Sequence, residues 1–112
     1  MVEEFIRAYR EEDLTSLLSL FSHDALENGE PVARYVPRYR QFFEAFRVLE
    51  YRLLDREIHA SGDRVKVKGS YLVSLVPRSG GNLYWVRGTV AWTLVKDGDG
   101  RWLIDALDYT ME

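Results

Sequence analysis

Three stretches in the N-terminal half repeat one hydrophobic spacing. Val2, Phe5, Ile6 and Tyr9 follow the i, i+3, i+4, i+7 pattern of a one-faced helix. Leu14, Leu17, Leu18 and Phe21 repeat it, and so do Tyr39, Phe42, Phe43 and Phe46. Asp13 stands where an N-cap belongs between the first two helices, and Pro37 fits the first turn of the third, where a missing N–H costs nothing. Between helices two and three, SHDALENGEPVARYV reads as a loop, with turns at Asn28-Gly29 and Glu30-Pro31.

After Arg47 the period changes to two. Leu49, Tyr51 and Leu53 alternate with Glu50 and Arg52, and the alternation slips from Leu54 to Glu57, where a bulge or bend is expected. Ile58 and Ala60 resume it, and Ser61-Gly62-Asp63 marks a turn. Val65, Val67, Gly69, Tyr71, Val73 and Leu75 form one face of a long strand. A loop at Pro77 to Asn82 leads to a strand over Leu83–Val95, rich in β-branched and aromatic residues. Asp97-Gly98-Asp99-Gly100 is a tight hairpin signal before a last strand over Arg101–Thr110. Helices first and strands last define an α+β pattern rather than alternating βαβ units. The reading is three helices packed in the concave face of a curved, mainly antiparallel sheet of four or more strands.

Composition narrows this reading. At 112 residues the chain is expected to form a single domain over 1–112 with one core. Aromatic residues reach 13%, with three Trp, seven Tyr and five Phe, which excludes a disordered chain. The net charge of −3 argues against a nucleic-acid binder, and the lack of cysteine excludes disulfide and thiolate chemistry. Charge is unevenly spread: residues 1–30 carry eight acids against two bases, residues 31–80 ten bases against five acids. No apolar run approaches the roughly 18 residues of a membrane span. MVEEFIRAYREED lacks the apolar core of a signal peptide. The expected location is cytoplasmic if Met1 is the native start, and the envelope if the chain is a domain of an exported protein.

The stretches FIRAYREEDLTSLLSLFSHDA (5–25), YRQFFEAF (39–46) and VAWTLVKDGDGRWLIDALDY (90–109) resemble the nuclear transport factor 2-like superfamily of cone-shaped α+β domains, SnoaL-like proteins among them. The likeness spans nearly the whole chain. It implies a fold that hosts isomerases, dehydratases, hydrolases, cyclases and catalytically silent domains, so it does not by itself choose a function. SHDALENG, RYRQFF and GRWLIDALDY are also similar to accessory domains of larger bacterial proteins, such as those attached to L,D-transpeptidase-like proteins.

The resemblance sets tests for catalytic residues. A ketosteroid-isomerase-like site needs a Tyr on the first helix, an Asp base after the second and a protonated Asp on a later strand. Those positions fall on Phe5, near Gly29 and near Val90, so none matches. Glu30, Asp105 and His23 remain the acid/base candidates, with Arg87 or Tyr9 as electrophile. Arg87 and Asp105 are also candidates for a cross-strand ion pair. The two histidines, His23 and His59, have no metal-ligand spacing, and no metal or cofactor is expected.

Binding is the remaining chemistry. Tyr9, Tyr35, Tyr39, Trp85, Arg87, Trp92, Trp102 and Tyr109 are candidates to line a concave aromatic cavity. Arg34, Arg38 and Arg40 form a basic patch near the third helix. The leading expectation is a non-catalytic domain that homodimerises through the outer face of its sheet, or binds a small hydrophobic ligand or peptide. The alternative is a small lyase, isomerase or hydrolase using a carboxylate inside the cone. A hollow cone containing a carboxylate of raised pKa favours the alternative; a cone plugged by Phe and Trp removes it.

Overall fold

A computed structural model describes residues 1–112. Helices α1 (Val2–Arg10) and α2 (Leu14–Ser19) meet at a sharp bend. α1 places Glu3 and Glu4 in its first turn and Arg7 and Arg10 in its last, the orientation that the helix dipole favours. Val2, Phe5 and Ala8 form its buried stripe. Asp13 caps α2, accepting the Ser16 N–H at 3.1 Å and the Ser16 hydroxyl at 2.7 Å. Glu12 turns the chain at φ 58°. Its carboxylate accepts the Val48 N–H at 3.0 Å and pairs with Arg78, which pins the helix junction to the sheet.

Strand β1 (Phe21–Glu27) and the two-residue β2 (Glu30–Pro31) follow, joined by a turn at Asn28 and Gly29. A 3₁₀ turn (Val32–Tyr35) runs into α3 (Val36–Ala45), and the chain then forms β3 (Phe46–Ser61), β4 (Arg64–Pro77), β5 (Tyr84–Lys96) and β6 (Trp102–Tyr109). The sheet order is β2-β1-β6-β5-β4-β3, antiparallel throughout except between β1 and β6. Helices packed on this curved, mixed sheet make the α+β cone that the periodicity implies.

Two strands exceed the four legible in the alternation. The segment read as a loop after α2 forms β1 and β2, so His23 lies on a strand. The free edge of β6 explains this. β1 docks on it in parallel, with Leu26 opposite Ala106 and Glu27 opposite Leu107, and satisfies backbone groups that would otherwise face no partner. The slip expected in β3 is real: its register with β4 shifts between Leu54 and Glu57, where Asp55 takes φ 54°. Gly69 sits beside that bulge, and a Cβ there would lie 2.6 Å from the Leu54 carbonyl oxygen.

Val67, Tyr71, Val73 and Leu75 on β4 and Val90, Trp92 and Leu94 on β5 are buried against the helices. Leu17, Trp92 and Ile104 are fully enclosed. Phe5 meets Trp92 edge-on, with ring centroids 5.5 Å apart. No helix is long and apolar enough to cross a membrane.

Candidate functional site

The core fills one end of the cone and leaves the other hollow. A cavity of about 280 Å³ lies between α1, α3 and the inner face of the sheet. Phe5 and Tyr9 reach it from α1, and Tyr39 and Phe42 from α3. Tyr51, Tyr71, Val86, Leu107 and Tyr109 form its sheet side. Tyr35, Arg38 and Met111 complete the lining. Thirteen of its fifteen lining residues are hydrophobic, so the two charged ones, Glu27 and Arg38, define its polarity.

Glu27 ends β1 and is only 1% exposed, although its neighbour Leu26 is 42% exposed. The docking register on β6 turns the glutamate inward and the leucine outward. Tyr39 donates to Glu27 Oε1 at 2.7 Å, and Tyr109 donates to Oε2 at 2.6 Å. Burial pushes the Glu27 pKa above the ordinary carboxylate value of 4.5, while the two phenol bonds and the nearby Arg38 charge hold it down in part. The same burial, together with the Glu27 charge, raises the Tyr39 and Tyr109 hydroxyls.

Two further phenols share the cavity without a protein partner. Tyr9 and Tyr51 stand 5.4 Å apart by ring centroid. Burial, followed by neighbouring tyrosines, raises both pKa values, and no hydrogen bond contributes to either shift. The one enclosed side-chain polar atom lacking a partner is Trp92 Nε1, so the Tyr9 and Tyr51 hydroxyls are open to the cavity rather than sealed in the core. The cavity therefore offers a carboxyl held by two phenols, and two phenols free to donate.

The residues singled out from sequence divide sharply. Tyr9, Tyr35, Tyr39 and Tyr109 line this cavity. Trp92 is fully buried in the core beside Phe5, and Trp102 packs at the core's edge near the Lys96 ammonium. Trp85 is 53% exposed and Arg87 is exposed, because β5 alternates and both stand on its outer face. Asp105 takes Arg64 at 3.6 Å and the Ser22 hydroxyl at 3.1 Å, so it does not pair with Arg87 and lies outside the cavity. Glu30 is exposed and pairs with Arg34 at 3.7 Å. His23 is exposed on β1, and His59 is exposed 4.0 Å from Glu57. The basic patch is likewise dispersed: Arg34 is paired, Arg38 lines the cavity and Arg40 is exposed away from it. Glu27, Tyr51 and Tyr71 also line the cavity; the two tyrosines are legible in the sequence only as strand positions, and Glu27 not at all.

Fold and cavity together define the nuclear transport factor 2-like class of hollow cones. Within that class the chain belongs to the SnoaL-like domain family, whose family model matches residues 2–103. A comparison with curated proteins finds none that matches. Among solved structures, a nuclear transport factor 2-like superfamily protein from Salmonella enterica is similar at a TM-score of 0.82 and 16% identity, over 98% of this chain and 84% of that one. A ketosteroid isomerase-like protein from Erwinia carotovora is similar at 0.78 and 15% identity, over 98% and 89%. ActVI-ORFA from Streptomyces coelicolor is similar at 0.76 and 13% identity, over 99% and 91%. At such identities these likenesses establish the fold. Family and fold support a domain that binds or processes a small molecule.

Proposed function

We propose that this protein binds a small, largely apolar carbonyl compound and moves a proton on it, with Glu27 as the acid/base. The observation that carries this reading is the buried Glu27 carboxyl, held by Tyr39 and Tyr109, in the same cavity as the unpartnered Tyr9 and Tyr51 hydroxyls. Ionised Glu27 takes a proton from the carbon next to the carbonyl. The electron pair moves into the carbonyl, and the oxygen, now an enolate, is held by the Tyr9 and Tyr51 hydroxyls. Glu27 then returns its proton to carbon. A carboxyl with a raised pKa is a stronger base than an ordinary one once ionised, which suits it to this exchange near neutral pH. The first helix thus supplies its phenol from Tyr9, one turn after Phe5, where a ketosteroid-isomerase-like alignment places it.

The cavity also sets ligand size. An apolar cavity of about 150 Å³ accommodates benzene, so about 280 Å³ accommodates on the order of eleven heavy atoms, or two fused rings. The test is deuterium exchange at the α-carbons of 2-tetralone in heavy water, followed by NMR. The wild-type protein is expected to accelerate exchange, Glu27→Gln to abolish the acceleration, and Tyr9→Phe to cut it by about 10²-fold. Binding of 2-tetralone without any acceleration would leave a binding domain and remove the catalytic reading.

A second reading rests on the outer face of the sheet, where Trp85 is 53% exposed and Leu54 is 47% exposed. These apolar side chains favour a homodimer formed through that face. Sedimentation is expected to show a dimer at tens of micromolar; a monomer at that concentration would count against it.

A further inference from the structure

Arg38 is the one cation in the cavity lining, and no carboxylate lies within ion-pair distance of it. The acid that precedes it most closely in sequence, Glu30, is taken up by Arg34 at 3.7 Å. The Arg38 guanidinium lies over the Tyr35 ring, 5.0 Å from its centroid. This cation–π contact uses the ring face and leaves the guanidinium N–H groups without a protein acceptor, free to receive a carboxylate. Tyr35 is itself part of the lining, so the cation–π pair belongs to the cavity wall and is not a stray surface contact.

The two charges of the cavity differ in depth. Glu27 is enclosed and held by two phenols, whereas Arg38 is exposed on α3 at the mouth. Hydrophobic side chains make up the rest of the wall, and the Arg38 charge still reaches Glu27. A molecule that satisfies all of this has an apolar body, a carbonyl oxygen for the free phenols inside, and an anionic group at the entrance.

Building on the proton-transfer reading, we infer that the substrate is a small keto acid, with a ring-sized apolar body whose carboxylate is bound by Arg38 at the cavity mouth while its ketone is bound by Tyr9 and Tyr51 within. Arg38 thereby sets both specificity and orientation. It selects acids over neutral ketones of the same shape, and it directs the carbonyl end inward.

Two nearly isosteric ketones test this: 4-acetylbenzoate and 4-methylacetophenone, which differ by a carboxylate in place of a methyl group. Calorimetric titration of the wild-type protein is expected to show about tenfold tighter binding of 4-acetylbenzoate. That preference should shrink in about 0.5 M KCl, because the contact is at an exposed mouth. Arg38→Met should bring the ratio of the two affinities close to one, and Arg38→Lys should retain part of the preference. Equal wild-type affinities, or a preference that survives in Arg38→Met, would overturn the inference while leaving the proton-transfer reading intact. Failure of 4-acetylbenzoate, 4-methylacetophenone and 2-tetralone alike to bind would overturn both together.

Discussion

Tyr109 donates its hydroxyl to Glu27 Oε2 at 2.6 Å, across the one parallel strand pair of the sheet. The backbone fixes this contact on both sides. Glu27 stands opposite Leu107, and just beyond it the Asn28 side-chain oxygen accepts the Tyr109 N–H at 2.8 Å while the Asn28 N–H donates to the Leu107 carbonyl at 2.8 Å. The positive φ of Asn28, 48°, ends β1 at the point where the glutamate reaches the cavity. A two-residue turn thus positions the carboxyl.

The phenol bonds tune Glu27. Each favours the charged carboxylate, so removing either raises the pKa of Glu27 further. Tyr109→Phe and Tyr39→Phe are each expected to move the acidic limb of the pH–rate profile of 2-tetralone exchange to higher pH. An unmoved limb would show that Glu27 is not the titrating base.

Stability should carry the same signature. The folded-state pKa of Glu27 lies above its unfolded value, so as pH passes about 4.5 the folded protein keeps a proton that the unfolded chain gives up. The contribution of the protonated form is fully present below the unfolded pKa and is lost as pH rises through the folded one. Glu27→Gln cannot ionise and should escape that loss. Its midpoint of thermal unfolding relative to wild type is expected to rise between pH 4 and pH 8; a constant difference would contradict the shift.

The C-terminal segment is held by a close approach at Gly88. Tyr71 donates to the Thr110 carbonyl at 2.6 Å, and a Cβ on residue 88 would overlap that same carbonyl oxygen. Gly88→Ala is expected to displace Thr110 and Met111, which borders the cavity, and to cost about 1–3 kcal/mol in denaturant unfolding. Both the stability and the 2-tetralone affinity should fall.

Glu12 joins helices to sheet through Val48 and Arg78. Glu12→Ala leaves the Val48 N–H without its acceptor and Arg78 without its anion. A loss of about 1–3 kcal/mol is expected in denaturant unfolding. Arg7→Ala removes only the exposed Glu11 pair at 3.2 Å and should change stability by less than about 0.5 kcal/mol.

Periodicity makes most of the fold legible. The helical repeats at Val2–Tyr9 and Leu14–Leu18 and the alternation from Val65 to Leu75 survive because each element buries one face and exposes the other, whereas Phe21, read as the last position of the second helix, opens β1. The first strand is not legible, because its polar start (Ser22, His23, Asp24) resembles a loop and its end inverts the usual rule. Leu26 faces solvent and Glu27 faces the core. The pairing of β1 with β6, some eighty residues away, decides that register, and no local pattern contains it. Tyr9, Tyr35, Tyr39 and Tyr109, four of the six lining tyrosines, are legible as candidate cavity positions. Their separation from Trp85 and Trp92 is not, since that depends on which face of β5 meets the helices.

Buried between two phenols, the Glu27 carboxyl retains its proton above the ordinary carboxylate range. A ¹³C NMR titration of the Glu27 carboxyl carbon, identified by its absence in Glu27→Gln, measures this directly. A midpoint above 4.5 is expected in the wild-type protein and a higher one in Tyr109→Phe. A midpoint at or below 4.5 would contradict it.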